Sequence, residues 1–210
     1  MKKIVALILN GEGLETHRLK RALEGASVII AADGGANYCR QQNLQPHYII
    51  GDLDSINQEW KDQFKNSKMM YIADQYSTDL EKALTLAESL QPHRLRVLNA
   101  TGRRGDHTIA NLLFLAQFNK KVEVEVIDNF GRLTFLEAGV HRFNLPAGQT
   151  VSFLSFSAVK NLTLSGFQYP LQKETFEDFF VGMSNVTQES PCVVSFDSGT
   201  LIMYEVERFE

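Results

Sequence analysis

The chain has 210 residues, 44% hydrophobic and 22% charged, which suits a globular protein of one large domain or two small ones. With 21 Lys+Arg against 25 Asp+Glu the net charge is -4, so nucleic-acid binding through a general basic surface is disfavoured, while a local anion site is not. Cys39 and Cys192 stand far apart in no metal-ligand spacing and suggest two reduced thiols rather than a disulfide framework or zinc site. The apolar run 4–9 behind two lysines is shorter than the roughly 7–15 residues of a signal-peptide core. No run approaches the ~20 apolar residues of a membrane span, so a soluble, cytoplasmic protein without membrane contact is expected.

In chain order, strands are predicted at 4–9, 28–32, 48–50, 69–72, 95–98 and 122–127, each short and bounded by polar or Gly positions. Helices fall between them. The clearest carry apolar residues at i, i+3, i+4, i+7: Leu80, Ala83, Leu84 and Ala87, then Ile109, Leu112, Leu113 and Ala116. Strict alternation of strand and helix implies βαβ units and a mostly parallel, Rossmann-like α/β sheet over residues 1–129.

Residues 130–210 differ. They hold 9 acidic against 5 basic residues and 11 of the 14 phenylalanines, whereas residues 1–129 are neutral, with 16 of each sign. Strand-like pieces at 133–136, 140–145, 150–156, 161–164, 193–196 and 201–206, separated by turn signals, predict an antiparallel β-sandwich with the phenylalanines in its core.

The informative residues are aspartates. Asp33, Asp52, Asp54, Asp79 and Asp106 each follow a predicted parallel strand, at the rim where open α/β sheets bind ligands. Each has a structural reading as well. Asp33 and Asp106 suit turns or helix caps, and Thr78 with Glu81 reads as a capping box that leaves Asp79 at the positive end of a helix dipole. Asp52 and Asp54 resist that reading. Two carboxylates at i and i+2 in an extended stretch repel unless a cation lies between them, and Mg²⁺ takes one or two protein carboxylates together with substrate phosphates.

The same rim supplies positive charge in Thr101-Gly102-Arg103-Arg104-Gly105, where glycines let the backbone turn and a guanidinium can bind phosphate as a fork. Neither a G-x-x-x-x-G-K-[ST] loop nor a G-x-G-x-x-G fingerprint is present. His107 reads equally as a catalytic group or as one that orients Asp106.

The segments AADGGAN (31–37), GDLDSI (51–56), STDLEKAL (77–84) and TGRRGDHTIANL (101–112), with MSN at 183–185 and VVSFDSGTLI at 193–202, resemble in content and order the thiamine pyrophosphokinase (thiamine diphosphokinase) family. The resemblance implies transfer of the pyrophosphoryl group of ATP to the hydroxyl of thiamine, giving thiamine diphosphate and AMP; a non-catalytic nucleotide or thiamine binding module and an Mg-dependent phosphohydrolase are the alternatives. It implies a catalytic ATP and magnesium domain at 1–129, a thiamine-binding and dimerisation sandwich at 130–210, and a homodimer with active sites at the subunit interface. By the same resemblance Asp33, Asp52, Asp54 and Asp79 form the acidic centre, with Asp52, Asp54 and Asp79 holding Mg²⁺. Gly34, Asn37, Thr78, Lys82, Thr101, Gly102, Arg104, Asp106 and His107 belong to the nucleotide site. Asp106 also meets the thiamine, together with Ser184 of the partner subunit and Asn185 of the partner subunit. Two positions depart from the family pattern: Arg103 stands where a second glycine is common, so the phosphate loop approaches less closely or gains a contact, and Leu53 replaces a frequent Phe.

Overall fold

The computed structural model describes residues 2–53, 63–74 and 76–207. Two compact units divide the chain, Met1–Asn129 and Phe130–Glu210.

In the first unit β1 (Ile4–Ile8), α1 (Thr16–Leu23), β2 (Ala26–Ala32), α2 (Gly35–Gln41), β3 (Tyr48–Gly51), β4 (Lys68–Tyr71), α3 (Asp79–Ser89), β5 (Arg94–Leu98), α4 (Gly105–Phe118) and β6 (Glu123–Ile127) follow in order. The strands lie β6-β5-β1-β2-β3-β4, and every pair is parallel. Val5 to Ile8 are fully buried, as expected of a strand covered on both faces, which reads as a continuous apolar run. Strand order reverses at β1. The chain steps outward from β1 through β2 and β3 to β4, then returns to place β5 on the other side, so the loops after β1 and β5 diverge at a topological switch point.

All six predicted strands of this unit are present, and both predicted helices form. The buried face of α4 differs from expectation. Ile109 and Leu113 are 59% and 47% exposed, while Leu115 and Phe118 are buried. Apolar residues occur on several sides of this helix, so periodicity alone does not single out the one that packs.

The second unit comprises β7 (Gly131–Phe143), β8 (Thr150–Ser155), β9 (Val159–Ser165), β10 (Leu171–Phe176), β11 (Phe180–Val186) and β12 (Cys192–Val206). Its strand pairs are all antiparallel. The long β12 pairs with β7 over both halves, and on its other side with β9 early and β8 late. A register shift between Phe196 and Thr200 separates the halves. There Gly199 has φ 102°, and a Cβ would stand 2.4 Å from the Ala158 carbonyl, so only glycine lets the strand turn from one partner to the next. The strands close over one core that includes Val151, Phe153, Leu162, Phe196, Leu201 and Met203, an arrangement compatible with the expected sandwich. Four predicted pieces merge into β7 and β12, and β10 and β11 have no counterpart among the predicted strands.

Cys39 and Cys192 are both buried, one in each unit. Burial pushes the Cys39 thiol up to about 12 and raises that of Cys192 as well, with Glu189 adding to the latter. Because the thiolate is the reactive form, a thiol-modifying reagent should label neither cysteine in the native protein at neutral pH and both after unfolding in guanidinium; mass spectrometry of the intact protein reads the count. Among the described residues, no helix is long and apolar enough to cross a membrane.

Candidate active site

The switch point of the first unit opens into a cavity of about 740 Å³. Leu9, Asn10 and Gly11 follow β1, Asp33 and Gly34 follow β2, and Gly102, Arg103 and Arg104 follow β5. Thr78 and Asp79 enter at the start of α3, and His107, Asn111 and Phe114 from α4. The loops after β1 and β5 stay tied beyond the sheet through Leu9 N–H to Leu98 O at 3.0 Å, Gly11 N–H to Asn99 O at 2.8 Å and Glu12 N–H to Thr101 O at 2.8 Å. Helix α4 is fastened to the same rim by Asn111, whose Nδ2 donates to the Ala100 carbonyl at 2.8 Å.

Asp33 continues the β2–β3 pairing by donating its N–H to Ile50 O at 2.8 Å, then turns sharply at φ 25° as its carbonyl accepts from Ala36 N–H. A Cβ on Gly51 would lie 2.7 Å from the Asp33 Cβ, so the end of β3 passes directly against Asp33. Asp52, the next residue, does not line the cavity, and Leu53 after it takes φ 53°, so the stretch is not extended there as expected. Asp54 lies outside the described residues.

Asp79 is the first residue of α3. The expected capping box is formed: Thr78 Oγ1 accepts from Glu81 N–H at 3.2 Å, and Glu81 Oε2 accepts from Thr78 N–H at 2.8 Å. Lys82, one turn on, brings its ammonium within 3.5 Å of the Asp79 carboxylate; its side chain is 6% exposed against 43% for Asp79. Removal of the cap in Thr78→Ala is expected to cost about 1 kcal/mol, measured by urea denaturation.

Arg104 forks onto Asp106, with Nε to Oδ1 at 3.1 Å and Nη2 to Oδ2 at 2.5 Å. That hydrogen bonding lowers the Asp106 carboxyl to about 2, with the backbone N–H of His107 contributing. Asp106 therefore does not cap α4; the N-cap residue is Arg104, and the Asp106 carboxylate faces the guanidinium. Arg103 turns toward Asn10, donating from Nη1 to Oδ1 at 2.9 Å and to the carbonyl at 3.4 Å.

Of the residues expected in the site, Asp33, Gly34, Thr78, Asp79, Gly102, Arg104, Asp106 and His107 line one cavity. Asn37, Thr101 and Lys82 do not. Asn37 lies within α2, the Thr101 carbonyl pairs with Glu12, and the Lys82 ammonium faces Asp79. Ser184 and Asn185 lie on β11 of the second unit. Ser184 is exposed, but Asn185 is buried with its amide engaged: Oδ1 accepts from Tyr169 N–H and Val186 N–H, and Nδ2 donates to Tyr169 O. Its side chain thus secures β11 to the segment at Tyr169. Sequence reasoning missed Asn10, Asn111 and Phe114. The last two share a helical face with His107 at i, i+4 and i+7, a signal present in the sequence.

A family model described as "Thiamin pyrophosphokinase, catalytic domain" matches residues 19–127, and one described as "Thiamin pyrophosphokinase, vitamin B1 binding domain" matches residues 140–201. The chain is 28% identical to a thiamine pyrophosphokinase of Bacillus subtilis, with 83% of this chain and 85% of that protein covered. It is 26% identical to thiamin pyrophosphokinase 1 of Caenorhabditis elegans, covering 98% and 90%. The crystal structure of a thiamine pyrophosphokinase from Bacillus subtilis matches the fold with a TM-score of 0.84 at 25% identity, over 99% of this chain and all of that one.

Proposed function

The chain belongs to the thiamin pyrophosphokinase family, and from that premise we propose that it transfers the pyrophosphoryl group of ATP to the hydroxyl of thiamine, releasing AMP and thiamine diphosphate. The observation that carries this reading is the convergence of two acidic motifs, through Asp33 and Asp79, and the arginine motif at 101–106 on a single cavity at the switch point of a parallel sheet.

Attack of an alcohol on the β-phosphorus needs in-line placement, compensation of phosphate charge and an acceptor for the hydroxyl proton. Arg104, the N-cap of α4, has its guanidinium plane set by Asp106 through Nε and Nη2, which leaves the Nη1 edge to meet phosphate oxygen. Asp33 and Asp79 line the cavity as carboxylates, and one of them accepts the proton. The donors available are hard oxygen ligands, which fit magnesium rather than a soft metal. Asp52, Asp54 and Asp79 would hold it. The chemistry a bound Mg²⁺ would supply there is Lewis-acid compensation of phosphate charge.

In this reading residues 1–129 handle ATP and residues 130–210 bind thiamine and form the dimer. The homodimer is supported by apolar side chains left in water: Ile109 and Leu113 on α4, and Phe179, Val181 and Met183 at and along β11, 54–64% exposed in that second group. Ser184 of the partner subunit is the contact assigned to thiamine, and the partner subunit's Asn185 holds that strand in shape. Two buried thiols suit a reducing, cytoplasmic setting.

The test is AMP release with ATP present and either Mg²⁺ or thiamine omitted. Release should require both. Phosphate release without thiamine favours a phosphohydrolase, and ATP binding without AMP formation favours a binding module.

A further inference from the structure

We propose that Arg103 is a second polyphosphate-binding side chain of the cavity, held at its mouth by Asn10; this rests on the reading of the cavity as an ATP site. Arg103 occupies φ 54°, a left-handed conformation that is costly for a residue with a side chain. Glycine would adopt it freely, so the arginine is retained against a local backbone preference.

Its side chain is also fixed in place. Asn10 accepts two hydrogen bonds from Arg103 Nη1, one at Oδ1 and one at its carbonyl. The Asn10 amide is itself lodged against the loop after β2: a Cβ on Gly34 would stand 2.3 Å from Asn10 Nδ2. A guanidinium carried by the loop after β5 is thus held by the loop after β1, which in turn rests on the loop after β2, and all three loops line the cavity.

The charge of Arg103 distinguishes it from its neighbours. Arg104 faces Asp106, and Lys82 faces Asp79. The hydrogen-bond partners of Arg103 among the described residues are a neutral amide and a carbonyl; the Glu12 carboxylate lies against the neighbouring Gly102 but forms no ion pair with Arg103, whose Nη2 and Nε remain available as donors. A nucleoside triphosphate brings several negative charges into this cavity, and Arg103 can meet a phosphate without giving up an ion pair.

Steady-state kinetics of the wild type, Arg103→Gly and Arg103→Lys test this, with thermal unfolding alongside. Arg103→Gly should raise KM for ATP by about tenfold or more, with kcat within about threefold and KM for thiamine unchanged. Arg103→Lys should fall between, because a point charge lacks the fork. The midpoint of thermal unfolding should not fall in Arg103→Gly, since glycine accepts the backbone angle; a loop-shaping role would instead lower the midpoint or kcat without a selective effect on ATP. An unchanged KM for ATP in Arg103→Gly overturns the proposal. Should the wild type fail to transfer pyrophosphate, the functional reading fails separately, and direct ATP binding by calorimetry decides for Arg103: weaker binding in Arg103→Gly sustains the proposal, and equal binding overturns it.

Discussion

Asp79→Asn is expected to lower kcat for AMP formation by about 100-fold or more, with Asp52→Asn behaving alike. A metal clamp on phosphate oxygens is worth several kcal/mol, and each ~1.36 kcal/mol is a factor of ten. Asparagine keeps the volume of aspartate and an oxygen toward Lys82, 3.5 Å away in the wild type, but loses the charge that a hard cation requires. The fold should therefore survive while the reaction fails. Circular dichroism and kcat at saturating ATP and thiamine report the two separately. Activity within threefold of wild type in both variants would remove the acidic centre from the mechanism. Asp33→Asn offers a contrast, because Asp33 lines the cavity from the tight turn after β2; if it is the proton acceptor, its loss should flatten the acidic limb of the pH–rate profile.

Arg104→Ala should raise KM for ATP by about 10- to 100-fold, the range for a charge-assisted hydrogen bond to phosphate. A second consequence follows at Asp106. In the wild type Arg104 holds its carboxyl at about 2, below the ordinary carboxylate range near ~3.9. The pairing is therefore fully present at neutral pH and is lost only as pH falls through about 2. Without the guanidinium, the Asp106 carboxyl should titrate closer to its ordinary value, measured by carboxyl-carbon NMR. A rise in that value with KM for ATP unchanged would mean that Arg104 serves Asp106 alone and does not reach the nucleotide.

The parallel half of the fold was legible because burial on both faces makes the central strand β1 a compact apolar run, Val5 to Ile8, and because Thr78 and Glu81 announce the start of α3 through chemistry local to four residues. Strand order was not legible. Placing β5 beside β1 depends on packing among segments some 90 residues apart, and that choice creates the switch point where the cavity opens. β10 escaped notice because LQKETF is polar and mostly exposed, and β11 because Gly182 and Asn185 interrupt its apolar alternation. Within the site, the acidic residues stood out by position after strands. Asn10 did not, since its role arises only where the loops after β1, β2 and β5 meet. Asn185 shows the converse: its motif drew attention, but its amide is occupied in holding β11 to Tyr169.

The central claim, transfer of a pyrophosphoryl group to an alcohol, is tested most directly by following the label of ATP marked at the β-phosphorus. The purified protein is incubated with this ATP, Mg²⁺ and thiamine, and the products are separated. The account predicts that the label appears in thiamine diphosphate in a one-to-one ratio with unlabelled AMP. Label recovered in ADP, or in free pyrophosphate whether or not thiamine is present, would contradict it.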